Sequence, residues 1–480
     1  MAALPSRFLL FFILSAIPVA SITGIHVSCE VRIYKTVHDT ITMSSVGPEV
    51  IRAKSAAIEL AALDTSVKDA ALKAMAEALD ANRERILSAN AKDMESAEEA
   101  EKRGELSYSL VKRLQVTDTK IDGMIDGISD VISLKDPVGE TMSALEMDKD
   151  LVLYQVRCPI GVIGVIFESR PDVVPQIMSL CLKSGNAVIF KGGAEALNSN
   201  EALFDILSEA AYSAGVPEGS FVLLRKREDV NEILSMDEYI DLLIPRGSNQ
   251  FVRYIQSNTK IPVLGHAAGI CHVYVDEYAD IDKALKVALD SKIQYPAVCN
   301  AVETLLVNSK IASEFLPEMD LLLNDNGVEI RADERCIAVM EHAKRADEED
   351  WDTEYNDLII SVKMVDSVKE AIDFINRHGS HHTDAIITEN KANMISFFKL
   401  VDSADVMINA STRFSDGYRF GKGAEVGIST NKIHSRGPVG MEGLMIYKYI
   451  LIGNGQVVKD YAGKDAKRFT HRQLNKELGF

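Results

Sequence analysis

The chain has 480 residues, 47% of them hydrophobic, with 29 Gly and 13 Pro, which is globular composition with length for two or three domains. Its net charge of −19 excludes a global basic surface for nucleic acid, so any anionic ligand must be met by local Arg, Lys and backbone N–H groups. The six cysteines lie far apart with no C-x-x-C pair, so metal spacing is absent, a disulfide framework is not expected in a chain this long, and free thiols in a reducing compartment are predicted.

Near the start of the chain Arg7 is followed by an apolar run, Phe8–Ala20, too short for a bilayer span. The run has the look of a signal-peptide core, and an unordered extension fits it equally well. Met43 is an alternative start, so residues 1–43 are set aside as a targeting or disordered extension. From Val50 to about Ala100, Ile58, Leu60, Leu63, Leu72, Met75, Leu79, Ile86 and Leu87 fall at helical spacing, predicting two or three amphipathic helices. A further short helix is predicted over Leu110–Leu114, and the pattern resumes through Ile121, Ile125 and Ile128.

After Leu151 the period changes. Leu151–Val156 reads as an extended strand, and Gly161–Phe167 is a continuous apolar run, as in a strand buried on both faces. A helix to about Leu182, the strand Ala187–Phe190 and the helix Glu195–Ala214 follow. Next come the strand Phe221–Leu224, the helix Glu228–Ser235, the strand Leu242–Ile244 and the helix Asn249–Ser257. This alternation means βαβ units and a doubly wound parallel sheet, with ligands beyond the carboxyl ends of its strands. Lys191-Gly192-Gly193 and Arg246-Gly247-Ser248 each place Gly and a cation before a helix N-terminus, where phosphate can approach backbone N–H groups. Many such turns carry Gly only as a cap, and no G-x-G-x-x-G occurs anywhere in the chain.

A second α/β unit is predicted from the strand Cys271–Val275 and the helix Ile281–Asp290 onward, with strands at Thr304–Val307, Val328–Arg331, Leu358–Val365, Asp384–Thr388 and Ala404–Asn409. The acidic insert Glu341–Asp352 reads as a solvated face. Met445–Gly453 alternates like a strand, and a charged tail runs to Phe480. Between the helix and the strand Thr304–Val307 lies Gln294-Tyr-Pro-Ala-Val-Cys-Asn300, a loop suited to an exposed nucleophilic thiol. Most free cysteines are small buried hydrophobes, so spacing alone does not decide the role of Cys299.

Five strings together resemble the glutamate-5-semialdehyde dehydrogenase (γ-glutamyl phosphate reductase) family of the aldehyde dehydrogenase superfamily. They are Pro159–Pro171, Lys183–Gly193, Tyr295–Asn300, His378–Asp384 and Asn409–Phe414, within a likeness running from about residue 47 to 460. The resemblance implies an aldehyde-dehydrogenase-like α/β fold with two doubly wound domains and an oligomerisation arm. Residues 44–270 would form the first part of a cofactor domain, with strand 151–156 there or in the arm. Residues 271–430 would be the catalytic domain, and 431–480 would return to the cofactor domain and supply the oligomerisation strand.

The implied activity is NADPH-dependent reduction of γ-glutamyl phosphate to glutamate 5-semialdehyde, the second step of proline synthesis, through a thioacyl-enzyme on Cys299. By the same resemblance Lys191 contacts the adenosine ribose or its phosphate, Gly247 and Ser248 lie near the pyrophosphate, and Glu354 holds the nicotinamide ribose. Arg170 stands where oxidising relatives use an oxyanion-binding Asn, and is expected to hold the oxyanion or the leaving phosphate. Asn409, Ser411 and Arg413 are candidates for the glutamyl carboxylate and amine, with a structural ion pair as the alternative for Arg413. His381 and His382 are read as ordering a turn.

No metal is expected. The Glu that hydrolyses the thioester in oxidising relatives has no counterpart in Pro262–Gly269, as suits a reductase. Ala267-Ala268 departs from the Gly-acidic pair common in the family. With no kinase module in the chain, a separate glutamate 5-kinase must supply the substrate; a homo-oligomer and a cytoplasmic location are expected, the alternative being an organelle reached through the apolar N-terminal segment. The competing reading is another oxidoreductase of the superfamily, oxidising and hydrolysing.

Overall fold

The computed structural model describes residues 46–226, 228–266 and 268–479. The expectations for residues 1–43, and the reading of Ala267, lie outside the described residues. The chain divides into a unit of residues 1–49, of which the described part is the start of the helix Gly47–Leu60, and a unit of residues 50–480.

Strands β1 (Thr141–Asp148) and β2 (Leu151–Pro159) pair antiparallel. Then β3 (Val162–Phe167), β4 (Ala187–Gly192), β5 (Phe221–Leu224) and β6 (Leu242–Arg246) form a parallel sheet in the order β5-β4-β3-β6. All residues of β3 and β4 are buried, which is why their sequence is unbroken apolar rather than alternating. Helices Thr65–Ala81 and Asp118–Ser133 lay Leu72, Met75, Leu79, Ile121 and Ile128 into the same core as Ile163, Val165 and Phe190. Each large side chain so buried contributes about 1.5–3 kcal/mol.

The second sheet comprises β7 (Cys271–Val275), β8 (Val302–Asn308), β9 (Glu329–Ala332), β10 (Lys344–Arg345), β11 (Ile359–Val365), β12 (Thr383–Ile387) and β13 (Asp405–Ile408). It is parallel, in the order β10-β9-β11-β8-β7-β12-β13. Two short strands, β14 (Gly427–Ser429) and β15 (Gly437–Val439), pair with each other. Last come β16 (Met445–Ile452) and β17 (Arg472–Leu474), which complete an antiparallel sheet in the order β16-β2-β1-β17.

This is the aldehyde-dehydrogenase-like fold expected from the sequence, with local differences. Strand β1 was not anticipated, nor was β17 in the charged tail; each is a strand because a distant partner pairs with it. The helix expected at Glu228–Ser235 shortens to Asp229–Ile233. The acidic insert is only partly solvated. Asp350 and Trp351 are buried in it, Asp350 paired with Arg331 at 2.6 Å and Trp351 edge-on to Phe374.

The rule that ligands lie at the carboxyl ends of strands holds for one sheet and not the other. Residues 168–170, 193–195 and 247–248 follow β3, β4 and β6, but the Cys299 loop precedes β8, and Cys271 and His382 stand at the starts of β7 and β12. The carboxyl ends of the first sheet thus face the amino ends of the second.

Candidate active site

The loop 294–301 joins the helix Ile281–Ile293 to β8 and carries Cys299, half-buried. An ion pair closes its base: Lys292, in the last turn of the helix, meets Glu303, the second residue of β8, at 2.7 Å with both side chains fully buried. Burial pushes Glu303 up to about 7 against the opposing pull of Lys292, and pulls Lys292 down from its ordinary value. Within the loop, Asn300 Nδ2 donates to Ser415 O (2.7 Å) and Gln294 Oε1 accepts from Arg413 Nε (2.9 Å). The buried Cys271 donates its S–H to Cys299 O at 3.2 Å. Burial raises the Cys271 thiol well above its usual range, so Cys271 remains a thiol and does not compete as a nucleophile.

Two imidazoles join the thiol. Ligand atoms of His266, Cys299 and His382 lie within 4.8 Å of one another, and the two rings stand edge to face with centroids 5.0 Å apart. His266 donates Nδ1–H to Ile428 O in β14 (2.9 Å), and burial lowers its pKa, keeping the ring neutral. His382 is fully buried; Nδ1 contacts Thr383 Oγ1 (2.8 Å), and Nε2 has no hydrogen-bond partner among the described residues. The shared ordering role expected for His381 and His382 therefore splits. His381, in the left-handed region at φ 61°, donates Nδ1–H to Asp402 O (2.8 Å) and orders the turn, whereas His382 reaches the thiol.

Four guanidinium groups gather around the loop. Arg246 and Arg413 both sense the charge of Cys299, Arg170 repels Arg246 and Arg113, and Arg113 senses Tyr295. None of the four forms a salt bridge among the described residues. Burial and then the like charge of Arg170 lower Arg246; Glu425 and Cys299 oppose this. Gly427, at φ 150°, makes room for it, since a Cβ there would stand 2.5 Å from Arg246 Nη1.

The remaining expected residues separate by position. Lys191 lines a cleft of about 730 Å³ beyond β3 and β4, with Gly192, Gly193, Arg225, Phe251 and Tyr254, and donates to Gly192 O at 2.5 Å. Gly247 and Ser248 begin the helix Asn249–Asn258, where Ser248 N–H is already taken by Glu168 Oε2 at 2.8 Å. Glu354 Oε2 accepts from Asn249 Nδ2 (2.9 Å) at the same helix start and is sensed by His266 and Glu303. Arg413 senses the charge of Cys299 and forms no salt bridge among the described residues, so the ion pair offered as its alternative role is not formed.

Two substrate candidates make structural hydrogen bonds. Asn409 spends both ends of its amide on the Thr388 backbone, tying β13 to β12, and Ser411 caps the turn Thr412–Phe414 and bonds Ser291. Arg113, His266 and the Lys292–Glu303 pair carried no local signal, and the place of His382 beside the thiol carried none either, because their neighbours in the site are remote in sequence.

The chain matches the model of the aldehyde dehydrogenase family over residues 39–336. The γ-glutamyl phosphate reductase of Methanosarcina barkeri is 65% identical over 433 residues, covering 89% of this chain and 97% of that protein. The chain belongs to the γ-glutamyl phosphate reductase family. The reductase of Methanosarcina mazei is 64% identical over 438 residues, covering 90% of this chain and 98% of its own. The crystal structure of γ-glutamyl phosphate reductase from Thermotoga maritima superposes with a TM-score of 0.83 at 42% identity, covering 86% of this chain and 100% of that one. Among the described residues of this family member, no helix is long and apolar enough to cross a membrane.

Proposed function

We propose that the protein reduces γ-glutamyl phosphate to glutamate 5-semialdehyde with NADPH, releasing phosphate, as the second step of proline synthesis. One observation carries this reading. In a chain of net charge −19, Arg113, Arg170, Arg246 and Arg413 gather at the Cys299 loop and none of them forms a salt bridge among the described residues. Such a cluster fits a substrate with a phosphate at one end and a carboxylate at the other.

An imidazole Nε2 beside Cys299 takes the thiol proton. The thiolate attacks the acyl carbon, a C–S bond forms, and the bond from carbon to the phosphate oxygen breaks. Phosphate leaves on the Arg170 and Arg246 side and takes the proton from imidazole. Arg413 holds the glutamyl carboxylate.

The residues of the Lys191 cleft fit a dinucleotide. Gly192 and Gly193 line the cleft, Phe251 and Tyr254 offer ring faces, and Lys191 has donors to spare beyond its bond to Gly192 O. When bound, NADPH supplies the hydride that reduces the thioester. Lys191 would hold its adenosine ribose or phosphate, Gly247 and Ser248 its pyrophosphate once Glu168 Oε2 releases the Ser248 N–H, and Glu354 its nicotinamide ribose. Cys299 N–H steadies the oxygen of the tetrahedral adduct, and breaking of the C–S bond frees the aldehyde and restores the thiolate.

The acyl phosphate is labile, so a separate glutamate 5-kinase would supply it. The exposed Ile446, Tyr447, Tyr449 and Leu451 on edge strand β16 support self-association through this strand. The five free described cysteines suit a reducing compartment such as the cytoplasm.

The test runs the reaction backwards. With glutamate semialdehyde and NADP, NADPH should form only when phosphate is present, and Cys299→Ser should abolish turnover while keeping dinucleotide binding. Phosphate-independent NADPH formation would establish an oxidising, hydrolysing enzyme instead.

A further inference from the structure

We propose that His266, Cys299 and His382 form a zinc site that switches the enzyme off. The three side chains supply two imidazole nitrogens and one thiolate, a donor set that suits Zn²⁺, whose tetrahedral shell then has one position left for water. Their ligand atoms already lie within 4.8 Å of one another. Tetrahedral zinc needs N–S separations of roughly 3.5 Å, so the three must close by about 1 Å, a movement open to a side chain on a loop.

The hydrogen bonds of the rings point their lone pairs inward. A carbonyl oxygen only accepts, so the contact of His266 with Ile428 O fixes the proton on Nδ1 and leaves Nε2 free to coordinate. The thiol proton of Cys271 is already given to Cys299 O. His382 Nδ1 faces the Thr383 hydroxyl oxygen at 2.8 Å and the Cys271 sulfur at 3.8 Å, both able to accept its proton, and the zinc site takes the tautomer with the proton on Nδ1. His382 Nε2 is then an acceptor, fully buried and without a partner among the described residues. An orphaned buried acceptor is costly, and a metal ion satisfies it.

A thiolate bound to zinc has no lone pair to spare for an acyl carbon. The inhibition rests on Cys299 being the nucleophile; the binding does not. Zinc would compete with the acyl phosphate for the thiolate, and its removal by a chelator would restore the enzyme.

The test uses the full chain, freed of metal by a chelator, with zinc chloride and with cobalt chloride as the coloured substitute. Cobalt should bind at one equivalent with a thiolate-to-metal charge-transfer band that disappears in Cys299→Ser. Zinc affinity should fall in His266→Gln and in His382→Gln by more than about 100-fold, beyond what second-shell changes cost. Turnover should fall with zinc and return with EDTA. Absence of the charge-transfer band, its survival in Cys299→Ser, or unchanged zinc affinity in the histidine variants overturns the site. Should His382→Gln fail to fold, His266→Gln decides. A wild type that binds cobalt through Cys299 yet shows no turnover would overturn the proposed activity and the switch, leaving the metal site standing.

Discussion

Gly269 lies directly against the backbone of Cys299. A Cβ at position 269 would stand 2.2 Å from Cys299 O and 2.4 Å from Cys299 Cα. Backbone cannot yield as a side-chain tip can, so the contact fixes the height at which the thiol is presented. Gly269→Ala must push the loop out. Misplacing a reacting atom by about 1 Å costs on the order of 100-fold in rate. We expect kcat to fall by roughly that factor, with the circular dichroism spectrum unchanged; a variant within threefold of wild type would show that the contact does not set the position of the thiol.

Arg170 should act on the phosphate end. Hydrogen bonds to charged groups contribute about 1.5–3 kcal/mol, or roughly 10- to 150-fold. Arg170→Ala is expected to lower kcat/KM for the acyl phosphate within that range and to leave the KM for NADPH unchanged. Unchanged turnover together with unchanged acyl-phosphate KM would remove Arg170 from the mechanism.

Lys191 belongs to the dinucleotide cleft and stands apart from the thiol. Loss of its ammonium should weaken ground-state binding alone, so Lys191→Ala is expected to raise the KM for NADPH by about tenfold or more with little change in kcat. Steady-state kinetics with the acyl phosphate saturating separates the two parameters. A fall in kcat at unchanged KM would move Lys191 out of the cofactor role.

The Lys292–Glu303 pair makes a pH prediction. Glu303 rises from an ordinary 4.5 to about 7 in the folded chain. Between these values the unfolded chain has released the proton that the folded chain keeps, so the contribution of Glu303 to stability is full below pH 4.5 and is lost as the pH rises through about 7. At 1.36 kcal/mol per unit the loss is roughly 3 kcal/mol. Denaturant unfolding of wild type and Glu303→Gln across this range should show the difference in stability shrinking as pH increases. A difference that grows with pH would mean that Lys292 keeps Glu303 ionised throughout.

Much of the fold was legible because burial writes itself into local pattern. Gly161–Phe167 is unbroken apolar sequence because β3 is covered on both faces, and Leu72, Met75 and Leu79 recur at helical spacing because one face meets the sheet. Strand β1 left a weaker mark. Its burial is mixed and its pairing depends on β2 and on β17, more than 300 residues away. In the site, Cys299 and Arg413 were nameable from short strings, whereas the tie from Asn409 to Thr388 was not, because its bonds exist only once β12 and β13 lie side by side.

By itself the sequence determined the fold class, the loop that carries the thiol and the family, since these rest on contiguous residues. Only the tertiary structure decided what surrounds that thiol. His381 and His382 are chain neighbours, yet pleating at the start of β12 sends one to a turn and the other to Cys299. Arg246, read as part of a cofactor loop, meets Cys299 because the carboxyl end of β6 faces the amino end of β8. Charges and lone pairs act over a few ångströms of space, and distance along the chain does not encode that proximity.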